Sequence, residues 1–286
     1  RDHFPNGMAP VVQYAHSRGL TFGLYTCAGT KTCVGGRPGS KDHWVQDAAV
    51  FAEWKLDVVK MDWCNTQGMH PREAYGDMSQ ALNATGRPVL VENCHWGSKP
   101  PFKPDRTKPP AEGCPWNFYR SSGDVRASYA SILSNLATVQ PLHQSNLSYP
   151  GCWAYPDMLQ VGCKHGPGGA SDPGLTPEET RSHFGAWAIV SSPLTLSHDV
   201  HNKTISDAIW PVISNKEILA VNQAYVGDSG GVYDTSDNTV ELTDAFIEAT
   251  AAEARVQTPS YQYLAKPIGG GKVAVFLMNS ENSAQT

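Results

Sequence analysis

Asp57-Val58-Val59-Lys60-Met61-Asp62-Trp63-Cys64 is the stretch that decides the fold. Its β-branched and apolar content marks a strand. The two-residue period of a strand then puts Lys60, Asp62 and Cys64 on one face and Val59, Met61 and Trp63 on the other. The apolar face would pack beneath helices, and the neighbouring residues supply them. Residues 43–55 (HWVQDAAVFAEWK) carry apolar side chains at helical spacing before the strand, and residues 71–82 read as a helix after it. A strand flanked along the chain by helices is the building unit of a parallel sheet.

The alternation extends in both directions. A helix at 8–17 precedes a strand at 21–27 (TFGLYTC), and the helix at 71–82 is followed by a strand at 88–94 (PVLVENC). A Pro- and Lys-rich loop at 99–110 leads to a strand at 118–124 (FYRSSGD) and a helix at 128–139. A strand near 155–161, a helix at 176–190, a strand at 193–199 and a helix at 205–214 complete the series, with Thr176-Pro177-Glu178-Glu179 reading as a capping box. The six βα units fit an α/β fold of the (β/α)8 TIM-barrel class whose first two units are missing. After Gln223 the texture changes to short segments separated by turn signals, ending in the strand-like 272–278 (KVAVFLM). The expected organisation is a partial barrel at 1–222 and the start of an antiparallel β-sandwich domain at 223–286. An unclosed barrel would leave strand edges bare, so a further segment is expected before Arg1.

Composition removes several classes of function. The 286 residues are 40% hydrophobic, enough for a substantial core. Only 17% are charged and the net charge is -5, so no basic face for nucleic acid is expected, and no run of 18 apolar residues suggests a helical membrane span. Seven cysteines accompany N-x-S/T sequons at Asn83, Asn146 and Asn202, a pairing that points to a secretory history and an extracellular, lysosomal or vacuolar location. No C-x-x-C occurs, and an odd cysteine count leaves one thiol over. His165, His183, His198 and His201 lack metal-binding spacing, and Gly166 to Gly169 lacks a phosphate-loop signature, so neither metal nor cofactor is expected. The oligomeric state is not encoded in any pattern here.

The chemistry of a barrel sits at the C-terminal ends of its strands. Asp62 would occupy such a position, where neighbouring Lys60 favours the ionised carboxylate a nucleophile needs; a structural ion pair is the alternative. Asp124 closes the 118–124 strand and is a second carboxylate, although spacing alone favours it as a cap of the following helix. Two carboxyls about 5 Å apart are what retaining glycoside hydrolysis requires.

Several strings occurring in order resemble glycoside hydrolase family 27, the α-galactosidase and α-N-acetylgalactosaminidase family. They include Phe4-Pro5-Asn6-Gly7-Met8, Gly23-Leu24-Tyr25, Lys31-Thr32-Cys33, the 57–64 stretch, Arg120 with Asp124, Pro156-Asp157-Met158, Ser192-Pro193-Leu194 and Ala220-Val221-Asn222-Gln223. The resemblance implies a retaining exo-glycosidase acting on α-galactoside-containing oligosaccharides or glycoconjugates. In it Asp62 is the nucleophile and Asp124 the general acid/base. It further implies that Lys60 and Arg120 contact the sugar and that Tyr25, Cys33, Asp157 and Met158 form pocket wall. It pairs Cys33 with Cys64 and Cys94 with Cys114, which leaves Cys152 with Cys163 as an extra pair and Cys27 unpaired or tied to residues outside this sequence.

Departures matter as much. His95 stands where α-galactosidases usually carry Glu and the N-acetylgalactosaminidases Ser, so recognition of the sugar C2 substituent is open. Tyr155 replaces a usual Asp, which suggests a changed pocket rim. An α-N-acetylgalactosaminidase or related α-glycosidase is therefore the second reading, and a non-catalytic carbohydrate-binding or structural domain the third. Retention of Asp62 and Asp124 together argues against the third.

Overall fold

In the computed structural model, which describes residues 4–96, 104–164, 174–243 and 255–281, the decisive stretch forms β2 (Val58–Asp62). The chain divides into two compact units, one ending at Arg120 and the other beginning at Ser121.

In the first unit β2 lies between β1 (Gly23–Cys27) and β3 (Leu90–Cys94), and β4 (Phe118–Arg120) follows β3; all neighbouring pairs are parallel. The register aligns Tyr25, Lys60 and Glu92 in one row and Cys27, Asp62 and Cys94 in the next. Helix α1 (Ala9–Ser17) precedes β1, and α2 (Trp44–Glu53), α3 (Pro71–Ala84) and the short α4 (Pro110–Gly113) connect the successive strands. The two faces of β2 separate as their pattern dictates. Val59 and Met61 have no exposure, and the Tyr75 hydroxyl of α3 donates to the Met61 carbonyl at 2.7 Å. Tyr75 also stacks on Trp63 with ring centroids 5.8 Å apart.

The N-terminal ends of these strands are fastened by Asp57. Its Oδ2 accepts from the Phe22 N–H and lies against His16 Nε2, both at 2.7 Å, while Arg87 Nη2 donates to Oδ1 at 2.7 Å. Burial acts to raise the pKa of this carboxyl, but those three partners outweigh it and hold the group below the usual carboxylate range.

The second unit opens with α5 (Tyr129–Ala137), α6 (Gln140–Gln144) and β5 (Trp153–Tyr155). It continues through α7 (Pro177–Ile189), α8 (Lys203–Ile213) and α9 (Lys216–Gln223). Thr176 and Glu179 make the expected capping box at the start of α7. The chain then turns antiparallel. β6 (Gly231–Thr235), β9 (Tyr261–Gly269) and β10 (Lys272–Asn279) form a sheet in the order β10-β9-β6, and β7 (Thr239–Thr243) pairs with β8 (Arg255–Pro259). Phe276 of β10 packs so closely on Gly185 of α7 that a Cβ there would come within 2.5 Å of the ring.

Two expected strands are shorter than their apolar content suggested. The one near 155–161 is β5, which ends before Pro156, and 193–199 contributes only the parallel bridge of Leu196 to Leu159. Pro156 and Pro193 have no N–H to give a ladder, and Asp157 turns the chain with φ at 85°. The helices α6 and α9 went unread: α6 is a single short segment beginning Gln140-Pro141, and α9 relies on Asn215, whose Oδ1 accepts from the Glu217 and Ile218 N–H groups.

Candidate active site

In the first unit the candidate residues gather at the C-terminal ends of β1, β2 and β3. Asp62 is buried, and its carboxylate is held at both oxygens: the Tyr25 hydroxyl donates to Oδ2 at 2.9 Å and the Trp63 N–H to Oδ1 at 2.9 Å. Partial desolvation of the Tyr25 phenol, a residue that is itself exposed, together with the facing Asp62 carboxylate pushes its pKa up, so Tyr25 stays a donor at any working pH. The Cys33 N–H donates back to the Tyr25 oxygen at 3.4 Å. Lys60 Nζ lies 3.5 Å from Oε1 of Glu92, a buried residue the sequence reading did not single out although it shares a strand face with Cys94. Arg120 is buried, with Nη1 donating to Cys94 Sγ at 3.3 Å. His95 has no exposure, and its ring stands edge-on to Trp63 at 4.8 Å.

Cys33 and Cys64 form the expected disulfide. Their sulfurs and an Asp62 carboxylate oxygen lie within 4.8 Å of one another, the one such potential ligand group among the described residues; because the sulfurs are bonded to each other, they offer no thiolates to a metal. Glycine allows this approach. A Cβ on Gly29 would fall 2.0 Å from the Cys64 carbonyl and 2.3 Å from that of Asn65.

The other two expected disulfides are corrected. Cys27, Cys94 and Cys163 are free thiols, while Cys114 and Cys152 are each disulfide-bonded. Cys94 ends β3, whereas Cys114 lies just before Asn117, whose N–H donates to the Val91 carbonyl and whose side-chain oxygen accepts from the Val91 N–H, nearer the start of that strand. Cys152 closes a tight turn with Tyr149, while Cys163 reaches Ser197 Oγ at 3.4 Å. The Cys27 thiol is buried and donates to the Cys64 carbonyl at 3.2 Å.

In the second unit Asp124 is exposed, flanked by the buried Ser122 and Val125. Asp157 is buried, its Oδ2 accepting from the Val125 N–H at 2.8 Å, and Met158 beside it is half-buried. Tyr155 is fully buried rather than on a rim. Asn83, Asn146 and Asn202 are all exposed, and Asn202 caps α8 through its side-chain oxygen. His165 lies outside the described residues.

The family model described as alpha galactosidase A matches residues 1–224, and the chain belongs to that family. Parallel βα units followed by antiparallel strands are the fold of its structural neighbours, a (β/α)8 barrel with a C-terminal β domain. Among relatives, the alpha-galactosidase A of Cellvibrio japonicus is 36% identical over 235 residues, covering 79% of this chain and 54% of that protein. The alpha-N-acetylgalactosaminidase of Gallus gallus is 34% identical, covering 80% of this chain and 54% of that protein. The solved structure of α-galactosidase from Saccharomyces cerevisiae with raffinose matches with a TM-score of 0.76 and 29% identity, over 96% of this chain and 60% of that one. The chain spans about half the length of the curated relatives it matches. Among the described residues no helix is long and apolar enough to cross a membrane.

Proposed function

We propose that this chain carries the chemistry of a retaining exo-α-galactosidase, with Asp62 as nucleophile and Asp124 as general acid/base. The observation that carries the reading is the state of Asp62: an ionisable oxygen pair at a strand's C-terminal end, oriented by Tyr25 and by its own strand's backbone. In the first displacement Asp62 bonds to the anomeric carbon while Asp124 gives its proton to the departing glycosidic oxygen; in the second, Asp124 takes a proton from the water that releases the sugar. Lys60, Arg120, Asp157 and Met158 would line the sugar pocket with Tyr25 and Cys33, and His95 would act on the C2 side through Trp63, which it abuts. The substrate is a terminal α-galactoside, of which raffinose, present in the yeast relative's structure, is an example. Exposure of the three sequon asparagines supports a glycosylated protein of an extracellular, lysosomal or vacuolar compartment. The end of α9 at Gln223 supports a barrel domain closing near residue 222.

The test is hydrolysis of paired aryl α-galactoside and aryl α-N-acetylgalactosaminide, with Asp62→Asn and Asp124→Asn as controls. Turnover of the galactoside, lost in both variants, is the expected result. Preference for the acetamido sugar would move the assignment to the activity named for the chicken relative, and turnover unchanged by Asp62→Asn would remove the catalytic assignment.

A further inference from the structure

Asp124 is exposed, yet the backbone on both sides of it is tied down from within the second unit. Before it, Asn135 of α5 is 7% exposed and turns its Nδ2 toward three acceptors: Ser122 Oγ at 3.0 Å, the Gly123 carbonyl at 3.1 Å and the Pro156 carbonyl at 3.1 Å. After it, the Val125 N–H donates to Asp157 Oδ2 at 2.8 Å and the Arg126 N–H to Ser131 Oγ at 3.0 Å. A carboxamide has two N–H bonds, so the three acceptors share them, and all three belong to the two turns that carry Asp124 and Asp157.

The second turn is itself held. Asp157 has φ at 85°, outside the range a non-glycine residue prefers, and its carbonyl accepts from Trp187 Nε1 of α7 at 2.6 Å. Trp187 meets the buried His183 ring edge-on at 4.1 Å, and His183 Nε2 accepts from the Gln160 N–H at 2.9 Å. Burial pushes His183 down to about 3, so the ring stays neutral and keeps that acceptor at any pH where the protein would work. An apolar residue at position 135 would suffice to fill the α5 interface. A donor aimed at three oxygens does something else: it fixes the distance between the turn bearing Asp124 and the turn bearing Asp157.

We propose that Asn135 is a positioning residue for proton transfer, clamping the 122–125 backbone so that the Asp124 carboxyl keeps one direction. The inference rests on the α-galactosidase reading, with Asp124 as the acid. When the glycosidic bond breaks, its electron pair goes to the leaving oxygen, which takes the Asp124 proton as Asp62 bonds to the anomeric carbon. A sugar leaving group needs that proton, whereas 2,4-dinitrophenolate leaves without it. Loss of the clamp should therefore tell between the two.

The experiment compares kcat/KM for melibiose and for 2,4-dinitrophenyl α-galactoside in the full-length protein, in Asn135→Ala, and in Asp124→Asn as reference, with the fold checked by circular dichroism. Asn135→Ala is expected to lose on the order of 30-fold on melibiose, as misplacement by a fraction of an ångström does, and less than about 3-fold on the dinitrophenyl substrate. Equal losses on both substrates would reveal a general structural role and overturn the proposal, as would no loss on either. If Asn135→Ala does not fold, Ser122→Ala, which removes one of the three acceptors, is read the same way: a ratio shifted about 3-fold supports the clamp and an unchanged ratio overturns it. A wild-type protein that turns over neither substrate fails the functional reading itself, and the clamp falls with it; that outcome is separate from an active wild type with an indifferent Asn135→Ala.

Discussion

Two aspartates bracket β2, one just before it and one at its end, and their neighbours set them apart. Asp62, at the C-terminal end of β2, is met by a phenol and one backbone N–H, an arrangement that orients a carboxylate and leaves its chemistry available. Asp57, just before the same strand, is met by His16, Phe22 N–H and Arg87, which commit it to joining strand ends. If Asp62 is the nucleophile as proposed, removing the Tyr25 hydroxyl as Tyr25→Phe should lower kcat on aryl α-galactosides by about 10- to 100-fold with the fold intact, because one of the donors orienting that carboxylate is gone; a kcat within twofold of wild type would show that Asp62 does not depend on it. Asp57→Ala should leave the chemistry in place and cost about 2 to 3 kcal/mol of stability, read by urea titration. The linkage has a definite sign. The Asp57 pKa is lowered on folding, so its contribution is full above the unfolded carboxyl value near 4 and fades as pH falls below that. The wild-type advantage over Asp57→Ala should therefore shrink in acid, and an advantage constant down to pH 2 would contradict the assignment.

At the scale of elements, the alternation in 57–64 was enough to read the strand, its faces and its neighbours, because a period of two in a βα context has one physical solution. Glu92 was legible by the same rule, counted back from Cys94, but its pairing with Lys60 depends on register between strands 32 residues apart, which no local pattern carries. Of the cysteine pairs implied by the family resemblance, Cys33–Cys64 is present, whereas Cys94 and Cys163 are free thiols; which sulfurs meet depends on tertiary placement that no local pattern carries. Asn135 was invisible, since an Asn on an amphipathic helix reads as surface until the turns it bonds are in place. The loops after β1 and β2 give a prediction at this scale. Gly29 lets the 27–33 segment cross against Cys64 and Asn65, where a Cβ would clash with both carbonyls. Gly29→Ala should separate these loops and displace Cys33, Cys64 and Tyr25 together. Activity should fall by more than about 100-fold, along with a stability loss of about 2 kcal/mol or more. A crystal structure of the variant with the Cys33–Cys64 bridge and the Tyr25–Asp62 bond undisturbed would refute the account.

For the molecule as a whole, the change from helices to antiparallel strands after Gln223 is secured by a charge. Lys266 on β9 has no exposure, and its ammonium donates to the Val221 carbonyl at 2.6 Å and the Asn222 carbonyl at 2.8 Å, in the last turn of α9. Burial pulls its pKa down to about 8, with Asp228 acting in the opposite direction. Gly230 makes room, since a Cβ there would meet the Ile189 carbonyl at 2.0 Å and the Lys266 stem at 2.8 Å. In the unfolded chain the same lysine titrates near 10.4. Between pH 8 and that value the unfolded state therefore holds more protons than the folded one, and stability must rise with pH through this window and fall as pH returns toward 8. Lys266→Met lacks both the titration and the donors. At pH 7.5 it should be less stable by about 1 to 3 kcal/mol, the cost of leaving two part-buried carbonyls without their donor. Raising the pH to 9.5 should then widen the gap by up to about 1 kcal/mol per pH unit, because only the wild type gains from shedding its buried proton. Urea unfolding of both proteins at pH 7.5, 8.5 and 9.5 and constant ionic strength measures the gap directly. A gap that stays flat or narrows would mean that the Lys266 ammonium reaches solvent, and the attachment of α9 to the antiparallel sheet would then rest on its apolar contacts alone.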